Sequence, residues 1–211
     1  MVKTSSQILA ELSLKYKAPK NKLLQLERRG IYHKVVKGLY ETELNTPAMV
    51  LAASVYGPSY ISFESAMEYW GLIPERVVAV TSATTCKNRR KRFDSSFGTF
   101  FYRDVPLPVF PYEVYIKSEG SRNFLIAGRE KALCDRLYQE TPLSSGKELE
   151  QFLFQNLRIE ENDFLSLDAR ILLELCPLYR SKNLKLLESF IKKRMLALEN
   201  IKNRENAGGE R

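Results

Sequence analysis

The sequence has a single histidine, His33, and three cysteines, none of them in a C-x-x-C spacing. Zinc sites are built from several Cys or His ligands, and His is the most frequent general base, so neither a zinc site nor histidine-based catalysis is predicted. Cys86, Cys134 and Cys176 are also too widely separated to predict a disulfide framework. The ten glycines are scattered and form no phosphate-binding loop, so the usual signature of nucleotide-dependent enzymes is absent.

Long apolar runs are missing as well. The longest, residues 48–56, is far short of the roughly 20 residues that a membrane-spanning helix needs, and the first residues contain no apolar signal core. We therefore expect a cytoplasmic protein without a membrane partner.

Positive charge is present in excess and is unevenly distributed. The chain carries 33 Lys and Arg against 25 Asp and Glu, a formal net charge of +8. Residues 1–41 contain nine of the basic residues and only three acidic ones, a surplus of six. A surplus of this size favours association with polyanions through neutralisation of phosphates and release of counterions.

The basic segment has the pattern of two helices followed by a hairpin. Thr4 and Gln7 have the spacing of a capping box, which predicts a helix over 4–16. Pro19 suits a first helical turn and Gly30 a helix end, so a second helix is predicted over 19–29. Two β-rich runs then surround a Lys-Gly turn at 37–38. Residues 1–43 are therefore predicted to form a winged helix-turn-helix domain.

One face of the second helix carries polar groups that suit a DNA groove. Asn21, Gln25 and Arg28 stand at helical spacing, while Leu23, Leu24 and Leu26 are predicted to face inward. Amides pair with adenine edges, arginine pairs with guanine, and lysine neutralises phosphate. The predicted DNA-binding residues are Lys20, Lys22, Gln25, Arg28, Arg29, Lys34 and Lys37. The alternative is that these are ordinary solvated side chains.

The remainder, residues 44–211, is predicted to form an α+β domain with a mostly antiparallel sheet and C-terminal helices. Helices are predicted over 47–56, 62–70, 128–138, 147–155, 161–175 and 183–202. Strands are predicted over 77–83, 98–105, 112–116 and 123–127. Ser62 is expected to cap its helix, and the polar tail 203–211 is expected to be frayed.

A second basic patch lies between the first two predicted strands of this domain and consists of Lys87, Arg89, Arg90, Lys91 and Arg92, with Asn88 among them. It could contact phosphate, bind an acidic partner protein, or be a solvated loop.

An enzyme is the least favoured interpretation. A metal-dependent nuclease needs clustered carboxylates, whereas Glu113, Asp94 and Asp104 show no obvious convergence in the sequence. We expect no catalytic residues, no metal and no cofactor.

Three segments resemble a known family. They read LERRGIYHKVVKGLY at 26–40, YISFESAMEYWGLIP at 60–74 and GREKALCD at 128–135, with Thr81 between the last two. In this order they resemble the AbiEi-type antitoxins of type IV toxin-antitoxin systems. The family often has three helices before the wing, whereas two are predicted here.

The resemblance implies a bacterial regulator of abortive infection, a form of phage defence. Its winged helix would bind inverted repeats in double-stranded operator DNA at its own promoter, and its larger domain would serve repression and antitoxin activity. The cognate toxin of that family resembles a nucleotidyltransferase, and no small-molecule substrate is implied. Reasoning from the residues leaves an alternative open, a protein-binding neutraliser with only non-specific nucleic-acid contact.

Overall fold

A computed structural model describes the backbone of residues 1–208 and the side chains of residues 1–196. The chain opens with a short strand, two helices and a hairpin: β1 (Lys3–Thr4), α1 (Ser5–Ser13), α2 (Pro19–Arg28), β2 (His33–Val36) and β3 (Leu39–Glu41). The three strands form an antiparallel sheet in the order β1-β3-β2. Residues 1–43 are termed the head, and the rest of the chain the body.

The predicted helices of the head are confirmed, although the first is shorter than predicted. The capping box is present, because the Thr4 side chain accepts from the Gln7 amide at 3.2 Å and Gln7 Oε1 accepts from the Thr4 amide at 2.8 Å. Helix α1 ends at Ser13, and the backbone amides of Lys15 and Tyr16 then both donate to the Leu12 carbonyl. Strand β1 was not predicted, since two residues are too few to show a period.

The body is built on a six-stranded mixed sheet, in the order β6-β7-β5-β4-β9-β8. Its strands are β4 (Tyr60–Ile61), β5 (Val80–Thr84), β6 (Lys91–Ser95), β7 (Gly98–Asp104), β8 (Val114–Glu119) and β9 (Arg122–Ala127). The neighbours β6/β7, β5/β4 and β9/β8 are antiparallel, and the other two pairs are parallel. The predicted α+β class with a mostly antiparallel sheet is therefore confirmed.

The helices of the body flank this sheet and fill the C-terminal third of the chain. They are α3 (Ala48–Val55), α4 (Phe63–Tyr69), α5 (Arg129–Gln139), α6 (Gly146–Gln151), α7 (Glu161–Leu165), α8 (Ala169–Leu178) and α9 (Lys182–Gly208). Short turns of 3₁₀ and π geometry occupy Leu107–Val109 and Phe152–Asn156.

Two predictions in this region were wrong. The helix predicted over 161–175 divides into α7 and α8 because the Asp168 side chain accepts from the Arg170 amide at 2.8 Å and starts a new helix. The predicted frayed tail, 203–211, is helical as far as Gly208, and its last three residues lie outside the described part of the chain.

Most buried apolar side chains form one core between the sheet and the helices. Phe63 and Met67 of α4 are fully buried, as are Phe100, Tyr102 and Ile126 of the sheet. The head has a small cluster of its own, made by Ile8, Leu23 and Tyr40, while its Val35 and Leu39 belong to the core of the body. The domain boundary at 43/44 stays a prediction. Within residues 1–208, none of the helices has the length and apolar character that crossing a membrane requires.

Candidate nucleic-acid interface

Helix α2 has well-defined ends, which fix the direction of its exposed side chains. Pro19 occupies the first turn, where its missing N–H is not needed. At the other end Gly30 adopts φ +70°, and the amides of Gly30 and Ile31 donate to the carbonyls of Glu27 and Leu26, both at 3.0 Å. These are the two hydrogen bonds of a Schellman motif, which favours glycine at this left-handed position. The predicted bounds of α2 are thus correct to within one residue.

The outer face of α2 presents the predicted polar side chains to solvent. Asn21, Gln25 and Arg28 are exposed, and so are the predicted DNA-binding residues Lys20 and Arg29. Lys22 is half-buried, because its Nζ lies 4.7 Å from the centre of the Tyr16 ring. The structure therefore brings these predicted α2 residues together on one helix, with the apolar side turned toward α1.

Leu24 departs from the prediction. The sequence predicts Leu24 on the inner side of α2, whereas its side chain is 54 % exposed and that of Leu23 next to it is only 6 % exposed. Leu24 lies four residues from both Lys20 and Arg28, so it shares the polar face with them. An exposed aliphatic side chain on such a helix can contact the methyl group of thymine. Sequence analysis missed this residue because two adjacent leucines do not show which one faces the core.

The hairpin of the head carries the remaining predicted residues. Lys34 is exposed on β2, and Lys37 is exposed in the turn before β3. Gly38 in that turn has φ +87°, and its carbonyl accepts from the Ser5 amide at 2.8 Å, which ties the turn to the start of α1. The β-ribbon that the sequence predicts is confirmed.

The positive charges of this surface are not neutralised by neighbouring carboxylates of the residues whose side chains the structure describes. Among the described side chains, no carboxylate lies within 4.0 Å of a charged nitrogen of the six predicted basic residues, which are Lys20, Lys22, Arg28, Arg29, Lys34 and Lys37. Lys3, by contrast, binds Glu11 at 2.8 Å. The six charges are therefore available to an external anion. We refer to these six residues with Gln25 and Leu24 as the head surface.

The second basic patch is ordered by hydrogen bonds and continues into a strand. The amides of Lys87 and Asn88 donate to the Asp104 carboxylate at 2.7 and 2.5 Å, which anchors the loop to the end of β7. Lys91 and Arg92 belong to β6, an edge strand that was not predicted because charged residues alternate there with Phe93. The Arg92 guanidinium binds Asp94 at 3.0 Å, while Arg89 and Arg90 are exposed.

Comparison with protein-family models finds no matching family, and comparison with curated proteins finds no match either.

The three carboxylates considered for a nuclease each have their own partners. Asp94 binds Arg92 and Thr99, and Asp104 holds the loop at 87–88 and accepts from Thr84 Oγ1 at 2.5 Å. Glu113 accepts from the Tyr115 hydroxyl, and this bond raises the pKa of Tyr115 to about 12. In the part of the chain that is described, no three His, Cys, Asp or Glu side chains are grouped so as to hold a metal ion.

A buried polar cluster in the body is the largest feature that the sequence did not reveal. Lys131 and Asp135, one turn apart on α5, are fully buried and lie 2.6 Å apart. Asp135 also accepts from the hydroxyls of Tyr60 at 3.0 Å, Ser62 at 2.6 Å and Tyr179 at 2.5 Å. Burial and the nearby Asp135 carboxylate raise the pKa of both tyrosines well above the usual value, so both stay protonated as donors.

This cluster also corrects the role expected of Ser62. Its side chain makes no helix cap and donates to Asp135 instead, so the start of α4 is joined to α5. The Lys-Asp spacing of four residues on a helix was the signal that could have indicated the pair. With every partner buried, the cluster is closed to substrates and acts as architecture.

Proposed function

We propose that this chain is a cytoplasmic, DNA-binding transcriptional autorepressor and antitoxin of an AbiE-like type IV toxin-antitoxin system. The observation that carries the DNA-binding part is the head surface, on which one amide and six basic residues, none paired with a carboxylate among residues 1–196, occupy a helix and the hairpin that follows it. The order β1-α1-α2-β2-β3 supports the interpretation of the head as a winged helix-turn-helix.

The parts of the head surface would have different roles in DNA binding. An α-helix fits the major groove, where Gln25 and Arg28 can donate and accept at base edges and Leu24 can meet a thymine methyl group. Arg29 and the lysines on α2 and on the hairpin would neutralise phosphates and position the protein without reading the sequence. Specificity is therefore assigned to three side chains of α2, and most of the affinity to the lysines.

The antitoxin part of the proposal depends on the sequence resemblance alone. It names as partners double-stranded operator DNA with inverted repeats and a nucleotidyltransferase-like toxin, with direct toxin contact left open. Neither a catalytic role nor a cofactor or small-molecule substrate is proposed. The alternative is a neutraliser that binds its partner protein through the body and touches nucleic acid only loosely.

Competition gel shifts with the DNA upstream of the gene test the proposal. The full chain should bind this DNA at least tenfold more tightly than an unrelated duplex of equal length, a difference of about 1.4 kcal/mol or more. Arg28→Ala with Arg29→Ala should remove the preference for the upstream DNA. Lys185→Ala with Lys193→Ala is the matched control, because it also removes two exposed positive charges, but on α9 instead of the head surface. This control should preserve the preference. Equal competition by both duplexes would favour the alternative.

Point variants are preferable to deletion of the head. Val35 and Leu39 of the hairpin are buried in the core of the body, and Glu41 binds Arg122 of the body. Removal of residues 1–41 would therefore expose part of that core, and loss of function would not distinguish DNA binding from folding.

A further inference from the structure

A cleft of about 210 Å³ lies in the body, apart from the head surface, at the C-terminal end of α5. It is lined by Glu64 of α4, Arg103 of β7, Arg136 and Gln139 of α5, and the neighbouring Glu140 and Arg90. Pockets for drug-sized ligands begin at about 300 Å³, so a cleft of this size suits a compact chemical group rather than a large ligand. Three of its six lining residues are arginines, a composition typical of oxyanion recognition.

The two inner arginines are held in place before any ligand binds. Glu64 Oε1 lies 3.1 Å from Arg103 Nη1 and 3.0 Å from Arg136 Nε. The guanidinium of Arg103 stands 5.0 Å from the centre of the Phe63 ring, and that of Arg136 stands 5.2 Å from the Phe152 ring. These contacts with the rings, together with the ion pairs to Glu64, restrict the movement of each guanidinium, so little freedom would be lost on binding.

The hydrogen-bonding capacity of these arginines is largely unused. Each guanidinium has five N–H donors, yet Arg103 uses one toward Glu64, and Arg136 Nη1 donates to Glu140 at 2.9 Å. Arg136 Nε is buried and, despite its nearness to Glu64, forms no aligned hydrogen bond with any described group. Glu64 Oε2 is likewise buried without a hydrogen-bond partner among the described groups, so the donors that a ligand can reach are the outer N–H groups of the partly exposed Arg103 and Arg136.

The charge balance of the cleft favours an anion. Hydrogen bonds from Arg136 and Thr141 outweigh the effect of burial and lower the pKa of Glu140, so this carboxyl is ionised near neutral pH. The negative charges of Glu64 and Glu140 thus balance the positive charges of Arg103 and Arg136. Arg90 is the surplus cation, because no described carboxylate lies within 4.0 Å of it and its guanidinium makes only one hydrogen bond to a described residue, a long one of 3.4 Å to Gln139.

The backbone loop and the side chain that contact Arg90 are both fixed by hydrogen bonds. The loop that carries it is anchored through the Lys87 and Asn88 amides on Asp104. Gln139, which touches Arg90, is itself fixed because its Nε2 donates to the Asp104 carbonyl at 2.6 Å. Lys87, Arg89 and Lys91 beside it are likewise unpaired with any described carboxylate, and they raise the positive potential at the mouth of the cleft.

We propose that this cleft binds a phosphate group, with Arg90 as the principal contact at the mouth and Arg103 and Arg136 as donors on the inner wall. The phosphate could belong to a small molecule or to the backbone of a nucleic acid, since the chemistry of recognition is the same. The inference does not depend on the head surface. Within the second basic patch, it assigns a direct phosphate contact to Arg90, whereas the other basic residues only raise the positive potential.

Calorimetric titration of the full chain with inorganic phosphate, against chloride of equal ionic strength, tests this proposal. Arg90→Gln should weaken phosphate binding at least about tenfold, as expected for loss of a charge-assisted contact. Arg92→Gln is the matched control, because Arg92 belongs to the same basic run, is 61 % exposed and is held by Asp94 outside the cleft. A parallel titration uses an unrelated DNA duplex. Circular dichroism confirms that both variants fold.

Selective loss of phosphate binding in Arg90→Gln supports the site and identifies a free phosphate as sufficient. Absence of phosphate binding, with duplex affinity lowered by Arg90→Gln and not by Arg92→Gln, supports the site with a backbone phosphate as ligand. Equal effects of the two substitutions in both titrations, or no effect of either, would overturn the proposal. Retention of phosphate binding in Arg28→Ala with Arg29→Ala separates this result from failure of the proposed DNA-binding function.

Discussion

Arg122, at the start of β9, donates from Nη1 to Oε2 of the fully buried Glu41 at 2.6 Å. Glu41 ends the last strand of the head, so this ion pair joins the head to the β8-β9 hairpin of the body. Arg122 Nη1 also donates to Thr46 at 2.9 Å, just beyond the head. One buried carboxylate therefore helps to fix the orientation of the head surface relative to the body, together with Val35 and Leu39, which are buried in the core of the body.

Acid should weaken this junction. Burial alone would raise the pKa of Glu41, but hydrogen bonds from Arg122, the N-terminal ammonium and the amides of Glu43 and Thr42 lower it to about 2. A carboxyl with a lowered pKa in the folded state stabilises the fold above its unfolded pKa, near 4.5, and loses this contribution as the pH falls toward 2. The contribution at neutral pH is about 3 kcal/mol.

Urea unfolding between pH 7 and pH 2.5 measures this contribution of Glu41 to the free energy of unfolding. The difference in unfolding free energy between the wild type and Glu41→Gln should be constant above about pH 5 and shrink below it. Glu43→Gln is the control, because Glu43 also contacts Arg122, at 2.8 Å, but its side chain is 68 % exposed, so its loss should cost under about 1 kcal/mol. A difference independent of pH would show that Glu41 is not held as a carboxylate.

Asp135→Asn should destabilise the body strongly. The substitution keeps the shape of the side chain but leaves the fully buried Lys131 ammonium without its counter-charge, which costs about 3 kcal/mol or more. Glu188→Gln breaks the partly exposed pair with Lys192 at the same helical spacing and should cost under about 1 kcal/mol. Denaturant unfolding of both variants makes the comparison. Equal costs would mean that the ion pair on α5 is solvated in solution.

Leu23 and Leu24 should respond differently to truncation. Leu23→Ala removes a core side chain of the head and should cost about 2 to 5 kcal/mol. Leu24→Ala should change stability by no more than about 0.5 kcal/mol, because the side chain is largely in solvent, while weakening operator binding if it contacts thymine. Thermal unfolding with gel shifts separates the two effects. A large loss of stability in Leu24→Ala would mean that it packs inward.

Local signals predicted the head well. The capping box at Thr4, Pro19 with Gly30 around α2, and the Lys37-Gly38 turn each act through neighbouring residues, so the sequence alone indicates them. Side-chain exposure on α2 followed from helical periodicity except at the Leu23-Leu24 pair, where only the packing against α1 decides. Each of the predicted DNA-binding residues is at least partly exposed.

Features that depend on distant partners were not predictable. Strand β4 has only two residues and pairs with β5 and β9, from different parts of the chain. Strand β6 is an edge strand without the usual apolar alternation, so the sequence does not predict it as a strand. The buried cluster at Asp135 needs Tyr60, Ser62 and Tyr179, whose convergence follows only from the assembled fold.

The salt dependence of operator binding tests the central claim most directly. The logarithm of the DNA-binding constant falls linearly with the logarithm of the salt concentration. The slope is about 0.9 for each phosphate that the protein neutralises. For Arg28→Ala with Arg29→Ala, titrations from 50 to 300 mM KCl should give weaker specific binding, because the base contacts of Arg28 are lost, and a slope reduced by about one, because the phosphate contact of Arg29 is lost. Unchanged affinity and slope would contradict the assignment of DNA binding to the head surface.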